Sequence, residues 1–171
     1  MSSNADKSDV ALNEAAKRVR DLFIERKLTL ATAESFTGGA VAAALVRYSG
    51  TSAFFKDGVV CYSADAKIAR LNVKRETIEK FSVVSEQVAT EMVKGLLNSE
   101  IKPDYAIATT GNADVTSEKN SESGVAYIAA GSKENITVEK LKFTFDRAEN
   151  IAYGAASALD ALYNLVKNQK R

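Results

Sequence analysis

The amino-acid sequence predicts an α/β fold, a single-domain α/β/α sandwich with a mixed sheet. Stretches with the apolar spacing of amphipathic helices alternate along the chain with short apolar runs that are typical of strands. Late in the chain, two strand-like runs follow each other directly through Gly131 to Asn135, which predicts a hairpin. With 171 residues, of which 46% are hydrophobic, the chain is long enough for one core and short for two.

The first helix sets the start of the predicted domain. Residues 1–8 are rich in Ser, Asn and Asp, and we predict that they form a disordered tail before a single domain at 9–171. From about Asp9 to Arg26, apolar residues recur at spacings of three and four. This periodicity predicts an amphipathic helix that packs on one face of the sheet.

The later elements are indicated by capping residues, apolar periodicity and turn residues. Ser63 and Ser85 each precede a helix-like pattern with an acidic residue near its start, so both are predicted N-caps. The predicted elements are a strand from Leu28 that ends before Gly38, a helix to about Tyr48, a strand at Gly58–Tyr62, helices at Ser63–Leu71, Arg75–Lys80 and Ser85–Asn98, strands at Tyr105–Thr109, Val125–Ala130 and Ile136–Phe145, and a helix at Arg147–Lys167.

Composition argues against several classes of function. The 23 basic and 22 acidic side chains nearly cancel and no basic block stands out, so we expect no nucleic-acid partner. No apolar run approaches the roughly 18 residues of a membrane span, and the polar N-terminus lacks the apolar core of a signal peptide. We therefore expect no membrane association and a cytoplasmic location, which the single cysteine, Cys61, also fits.

The absence of histidine narrows the chemistry further. A Ser-His-Asp or Cys-His site within the chain is excluded, and the usual zinc sites lose their commonest ligand. We expect neither a metal site nor a cofactor. Any hydrolytic reaction has to use Lys, Asp, Glu or Tyr as its base, with a perturbed pKa.

Polar residues close the first predicted strand. Ser35 and Thr37 stand at its carboxyl end, and Gly38 and Gly39 follow where the chain turns into an Ala-rich helix. In parallel α/β sheets ligands bind at such strand ends, and helix N–H groups attract anions. Ser35 is therefore a candidate nucleophile, and the backbone at the two glycines is a candidate cradle. The alternative is that Ser35 and Thr37 only cap the helix.

Two further strand ends carry polar residues, Tyr62 with Lys67 beyond it and Thr110 with Gly111. If these strands are parallel to the first, all three sets face one crevice. Lys67 is the best candidate for a base that takes the Ser35 proton, and Tyr62 is a candidate to relay that proton or to fix the amine. The alternatives are a surface lysine and a core or edge tyrosine.

Three motifs carry a resemblance to a known family. Residues 32–39 (TAESFTGG), 58–67 (GVVCYSADAK) and 83–86 (VVSE) resemble the signatures T-A-E-S-C-T-G-G, G-x-V-x-Y-S-N-E-A-K and A-V-S-E of the CinA C-terminal domain family, which includes nicotinamide mononucleotide deamidases. The resemblance runs from about Ala11 to Leu165, in order and with similar spacing. It implies an α/β fold and hydrolysis of the nicotinamide amide to nicotinic acid mononucleotide and ammonia, with a serine nucleophile and a lysine base.

The same resemblance implies roles for individual residues. Ser35 matches the family's nucleophile, Lys67 its base and Tyr62 its tyrosine partner. The residues implied to bind the small-molecule nucleotide substrate are Thr37, Gly38 and Gly39 in the cradling turn, Ser52 as a supporting polar group, Thr110 and Gly111 at the start of a substrate loop, and Arg147, which is suited to meet a phosphate bidentately.

The chain departs from the family motifs at two places. Phe36 replaces the usual cysteine and is expected to narrow the pocket. Where the family has T-G-I-A-G-P-x-G-G, residues 110–116 read TGNADVT, and we expect Asp114 to repel a phosphate. This departure motivates an alternative function, an inactive relative that binds a small ligand or regulates a partner. A structural subunit without a ligand fits poorly with the presence of Ser35, Tyr62 and Lys67.

Two properties stay open at this point. The polar loop from Gly111 to Ser123 is either a binding loop or a mobile excursion. We expect a homo-oligomer, since small α/β domains with long apolar helices often pair, but the sequence does not separate an oligomer from a monomer.

Overall fold

A five-stranded mixed sheet lies between two layers of helices, which confirms the predicted α/β fold. The structure is a computed structural model that describes residues 4–115 and 123–169. In chain order, its elements are helix α1 (Asn4–Arg26), strand β1 (Leu30–Glu34), helix α2 (Ala40–Val46), a short 3-10 helix (Thr51–Ala53), strand β2 (Phe55–Val60), helices α3 (Ala64–Leu71), α4 (Arg75–Phe81) and α5 (Glu86–Leu97), strands β3 (Tyr105–Asn112), β4 (Val125–Gly131) and β5 (Ile136–Lys142), and helix α6 (Arg147–Lys167).

The strand order is β2-β1-β3-β4-β5. Strand β1 is parallel to both β2 and β3, whereas β4 is antiparallel to β3 and to β5. The chain leaves β1 toward β2 and later returns to the other side of β1 as β3, so the direction of winding reverses between β1 and β3. In open α/β sheets, the carboxyl ends of strands at such a reversal form the crevice that takes ligands.

Different helices cover the two faces of the sheet. Leu30 and Ile107 belong to a core with α1, α2 and α6, whereas Ala31 and Ala106 belong to a core with α3 and α5. Successive side chains of a strand point to opposite faces, so this division follows from the alternation along β1 and β3. Ser35, one residue beyond β1, continues the series of Ala31 and Ala33 and therefore faces the layer that contains α3.

Capping residues begin three of the helices, and two of these caps were predicted. The Ser63 hydroxyl accepts from the Ala66 N–H at 3.1 Å, and the Ser85 hydroxyl accepts from the Val88 N–H at 3.3 Å. The Asp146 carboxylate accepts from the Glu149 N–H at 2.9 Å, which fixes the start of α6. These contacts satisfy N–H groups that have no partner inside the first turn of a helix.

Several boundaries differ from the predictions. Helix α1 begins at Asn4, so residues 4–8 are helical and not part of a disordered tail. Strand β2 begins at Phe55 and includes polar residues, because it is an edge strand whose side chains are alternately half-buried and exposed. Strand β3 continues to Asn112, so the polar residues that were expected to end it lie within the strand. No helix in the described part of the chain is long and apolar enough to cross a membrane.

Candidate functional site

The carboxyl ends of β1, β2 and β3 lie at one edge of the sheet, because the three strands are parallel. The antiparallel hairpin brings the carboxyl end of β5 to the same edge, where Lys142 pairs with Val125 and Val125 with Asn112. The segments that follow these strands therefore converge. The condition for a shared crevice, parallel strands, is met.

A serine and a lysine are in contact at this edge. Lys67 Nζ is 2.8 Å from Ser35 Oγ and donates to the Cys61 carbonyl oxygen at 2.8 Å. The Lys67 side chain is fully buried, and Ser35 is 6% exposed. The alternative that Lys67 is a surface lysine is therefore wrong. The pair forms because Ser35 faces the α3 layer and because the Ser63 cap starts α3 directly after β2.

Burial changes the proton affinity of the lysine. It lowers the pKa of Lys67 from 10.5 to about 8, since the interior solvates an ammonium ion poorly, and Cys61 acts in the opposite direction. Burial also raises the pKa of the Cys61 thiol, which keeps it uncharged near neutral pH. A lysine with a pKa near 8 is neutral in about one tenth of molecules at pH 7 and is suited to accept a proton.

The turn after Ser35 is shaped by two glycines and by Glu34. Gly38 and Gly39 have φ values of 60° and 102°, in the left-handed region that side chains rarely adopt. The buried Glu34 carboxylate accepts from the N–H groups of Gly39, Val41 and Ala42 at 3.0, 3.1 and 2.9 Å. It occupies the start of α2, where an anion would otherwise bind.

The backbone around Gly38 and Gly39 was the expected cradle, but the N–H groups of the two glycines themselves already have acceptors. The Gly38 N–H donates to the Ser35 carbonyl oxygen at 3.0 Å, and the Gly39 N–H donates to Glu34. Within the described residues, the N–H groups of Phe36 and Thr37 have no acceptor. Their position directly after Ser35 is the one from which a backbone donor serves a nucleophilic serine in other α/β hydrolytic sites.

Thr37 and Thr109 hold the turn to the neighbouring strand. Their hydroxyl oxygens are 2.7 Å apart, and the Ser35 N–H donates to the Thr109 carbonyl oxygen at 3.0 Å. Thr37, predicted to bind substrate, thus supports Ser35 with a buried side chain. Glu34 and Thr109 were not predicted. The one signal for Glu34 was an acid shortly before a glycine-rich helix start, whereas no sequence pattern pairs Thr37 with Thr109.

Phe36 anchors the turn to α6. Its buried ring lies 5.5 Å from the ring of Phe143, and a Cβ atom on Gly154 would come within 2.5 Å of it. Phe36 also belongs to an apolar cluster with Ala113 and Ala126. The ring is therefore part of the apolar packing beneath the turn. It does not project into an open pocket, as the sequence led us to expect.

Tyr62, Arg147 and Asp114 form a chain of contacts that we call the rim. Arg147 Nη1 donates to Asp114 Oδ2 at 2.6 Å, and Arg147 Nη2 donates to the Tyr62 hydroxyl oxygen at 2.9 Å. Tyr62 is 61% exposed, and its hydroxyl contacts Arg147 and not Lys67 or Ser35. The expected proton relay or fixing of the amine by Tyr62 is therefore not supported; the Cys61 carbonyl oxygen fixes the amine instead.

Of three other residues implied to bind substrate, one lies away from the site and two lie at its edge, packed within the fold. Ser52 is exposed in the short helix before β2, at the amino edge of the sheet, and a strand of six residues separates it from the site by about 20 Å. The buried Thr110 hydroxyl donates to the Val83 carbonyl oxygen at 2.7 Å. Gly111 lies inside β3, where a Cβ atom would come within 2.4 Å of Ala126. Ser52 is placed away from the site because it precedes its strand.

Two expectations concern residues or groups around the site. Residues 116–122 of the long polar loop lie outside the described residues. Within residues 4–115 and 123–169, no three or more His, Cys, Asp or Glu side chains are grouped so that they could hold a metal ion. What the site offers chemically is thus a serine, a buried lysine and backbone N–H groups.

The fold and the site define an α/β protein with a buried serine–lysine pair at the carboxyl edge of a mixed sheet. The chain belongs to the CinA C-terminal domain family, whose sequence profile matches residues 12–166. A CinA-like protein of Flavobacterium psychrophilum is 40% identical over 152 residues, which cover 88% of this chain and 36% of that protein. A CinA-like protein of Fusobacterium nucleatum is 42% identical over 144 residues, which cover 84% of this chain and 34% of that protein.

Solved structures agree with this assignment. A competence-damaged protein (CinA) superfamily protein from Klebsiella pneumoniae superposes with a TM-score of 0.87 at 34% identity, covering 92% of this chain and 99% of that one. The competence/damage inducible protein CihA from Agrobacterium tumefaciens superposes with a TM-score of 0.85 at 32% identity, covering 93% and 96%. The chain spans about a third of the length of the two sequence relatives but nearly all of these two solved chains.

Proposed function

We propose that this protein is an amidohydrolase that cleaves the carboxamide of nicotinamide mononucleotide or a close pyridine relative to the acid and ammonia. The observation that carries the proposal is the 2.8 Å contact between Ser35 Oγ and a fully buried Lys67 amine whose pKa lies near 8. The resemblance of residues 32–39 and 58–67 to the family motifs supplies the class of substrate.

The first half of the proposed reaction forms an ester. The neutral Lys67 amine accepts the hydroxyl proton as Ser35 Oγ attacks the carboxamide carbon, and the Cys61 carbonyl oxygen keeps the lone pair of the amine on Ser35. The N–H groups of Phe36 and Thr37 stabilise the oxyanion of the tetrahedral intermediate. The intermediate collapses as Lys67 gives its proton to the leaving nitrogen, and ammonia departs from an acyl-Ser35 ester.

The second half consumes water. Lys67, again neutral, takes a proton from a water molecule that attacks the ester carbonyl carbon, and the collapse of the second intermediate returns the proton to Ser35 Oγ. The sum is one amide and one water converted to one carboxylic acid and one ammonia. Each step moves only protons and the acyl group, so the reaction needs no oxidant or reductant.

Ammonia release from nicotinamide mononucleotide tests the proposal. We expect turnover by the wild type and loss of at least about a hundredfold in kcat/KM for Ser35→Ala and for Lys67→Ala. Ser52→Ala is a matched control, because Ser52 carries the same hydroxyl at the opposite edge of the sheet, and it should retain wild-type turnover. Turnover that persists in both site variants would overturn the assignment of the residues.

A second candidate function, a non-catalytic ligand-binding or regulatory module, is favoured by one observation. Asp114 lies where the family motif differs from this chain, and its carboxylate accepts a hydrogen bond from the Arg147 guanidinium. A panel of amide nucleotides that releases no ammonia, together with thermal stabilisation of the protein by one of them, would favour this function over hydrolysis.

A further inference from the structure

Hydrogen bonds from a buried side chain fix the backbone on both sides of the rim's ion pair. The buried side chain of Asn150 donates to the carbonyl oxygens of Ala113 and Phe145, both at 2.8 Å, and accepts from the Phe145 N–H at 3.2 Å. These bonds position the residue before Asp114 and the segment that precedes Arg147. The Asp114 N–H also donates to the Asn112 side-chain oxygen at 3.0 Å. The backbones on both sides of the ion pair are therefore held in place.

The rim adjoins the serine–lysine pair through one peptide unit. Tyr62 follows Cys61, whose carbonyl oxygen binds the Lys67 amine that contacts Ser35. Arg147 reaches over the exposed Tyr62 hydroxyl from the first residue of α6. Tyr62 therefore links the Arg147–Asp114 pair to the segment whose Cys61 carbonyl oxygen holds the Lys67 amine.

The guanidinium of Arg147 is not a free positive charge. One nitrogen is 2.6 Å from the Asp114 carboxylate, and a second donates to Tyr62. A phosphate at Arg147 has to displace Asp114 or to sit beside it. Two like charges about 4 Å apart repel by about 1 kcal/mol in water and by more near a protein surface, and a phosphate carries nearly two charges. Hydroxyl groups meet no such penalty, because a carboxylate accepts their hydrogen bonds.

We infer that Asp114 is a specificity-determining residue that makes the site favour carboxamides without a phosphate over their phosphorylated forms. The inference rests on the proposed function for the carboxamide end of the ligand. It concerns the far end of the ligand, where Asp114 neutralises Arg147 and offers an acceptor to hydroxyl groups. Among pyridine compounds, the favoured class is the nucleosides, whose ribose carries no phosphate.

The test compares two substrates that differ only in the phosphate, nicotinamide riboside and nicotinamide mononucleotide. In the wild type we expect kcat/KM to be at least as high for the riboside as for the mononucleotide. Asp114→Asn keeps the shape of the side chain and removes its charge, so it should shift the ratio toward the mononucleotide by about tenfold. Arg147→Gln in the Asp114→Asn background should remove that gain, because the freed guanidinium produces it.

Asp160→Asn is the matched control. Asp160 pairs with Arg18 at 2.6 Å, and its side chain is 45% exposed, close to the 48% of Asp114. It lies thirteen residues beyond Arg147 in α6, about 20 Å along the helix. The control changes net charge equally and should leave the substrate ratio unchanged. A ratio that is unchanged by Asp114→Asn, or that shifts equally with Asp160→Asn, would overturn the inference.

Calorimetry in a Ser35→Ala background separates this inference from the proposed function. The dissociation constants of the two compounds are measured without turnover, with and without Asp114→Asn, and the same tenfold shift in their ratio is expected. A shift in binding without ammonia release from the Ser35-containing protein would sustain the inference and overturn the proposed hydrolysis. Ammonia release with no shift in binding would sustain the proposed hydrolysis and overturn the inference. Failure of both compounds to bind either protein would overturn the inference and the proposed function.

Discussion

The serine–lysine pair and the rim lie next to each other but differ in burial and in charge. Ser35 and Lys67 are buried, and their contact depends on a lysine that loses its proton easily. Arg147 and Asp114 are about half-exposed and form a charged pair in contact with solvent. The first arrangement changes the chemistry of a side chain, whereas the second changes the charge that an approaching ligand meets.

This difference explains how a family site can keep one property and alter another. Burial, the Glu34 cap and the Thr37–Thr109 contact hold Ser35 by several independent interactions. A substitution among them disturbs packing as well as chemistry. The rim tolerates change, because exposed ion pairs contribute little to stability. Variation in substrate is therefore expected at Asp114 and not at the pair.

The largest expected effect is the loss of activity when the serine–lysine pair is changed. Lys67→Arg should lower kcat/KM by about a thousandfold, because a guanidinium keeps its proton and cannot act as a base. Lys67→Met removes the base without added bulk and should lose as much activity. Lys56→Arg, at an exposed lysine that donates to the Ser52 and Ala53 carbonyl oxygens, is the control and should stay active. An active Lys67→Arg variant would show that another group takes the serine proton.

The second effect is on stability. Because the pKa of Lys67 falls from 10.5 to about 8 on folding, the folded state binds its proton less tightly than the unfolded state. Between these values unfolding takes up a proton, so stability rises with pH. The free energy of unfolding of the wild type, relative to Lys67→Met, should increase by about 2 to 3 kcal/mol from pH 7 to pH 10. Urea titrations measure this difference, and a constant difference would contradict the buried amine.

The third effect is on rate. If neutral Lys67 is the base, kcat/KM should rise about tenfold between pH 7 and pH 9, as the neutral fraction grows from about one tenth to about nine tenths. The profile is measured with nicotinamide riboside, which has no phosphate whose ionisation would contribute. A flat profile over that range would exclude Lys67 as the group that controls the rate.

The smallest effect distinguishes the rim from the pair. Asp114→Asn should change the free energy of unfolding by less than about 1 kcal/mol, since the ion pair that it breaks is about half-exposed. The same substitution should move the substrate ratio tenfold, as described above. A loss of several kcal/mol in the free energy of unfolding, measured in denaturant titrations, would show that the rim stabilises the fold and does not only set the charge that a ligand meets.

The sequence predicted the fold and the positions of Ser35 and Lys67 well, because both depend on local patterns. Strand alternation and the Ser63 cap place these two residues on one side of one sheet edge. The bounds of α6 were predicted in full by its apolar periodicity and its charged start. Each of these signals is contained within one element.

The sequence failed where two distant segments decide the outcome. The position of Tyr62 was predicted, but its contact with Arg147, 85 residues away, was not. Ser52 was grouped with the site by motif, although the direction of β2 places it at the other edge. Glu34 fills the helix start that was assigned to the substrate. Tertiary contacts fix these outcomes, and no local spacing encodes them.

The titration of Lys67 itself shows most directly whether the fold holds a neutral amine against Ser35. Lysine side-chain carbons labelled with ¹³C report the protonation of each amine by NMR, and the spectrum of Lys67→Met identifies the signal of Lys67. We expect this signal to titrate near pH 8, well below the ordinary value of 10.5. A Lys67 amine that titrates above pH 10 would show that the fold does not hold a neutral base against Ser35.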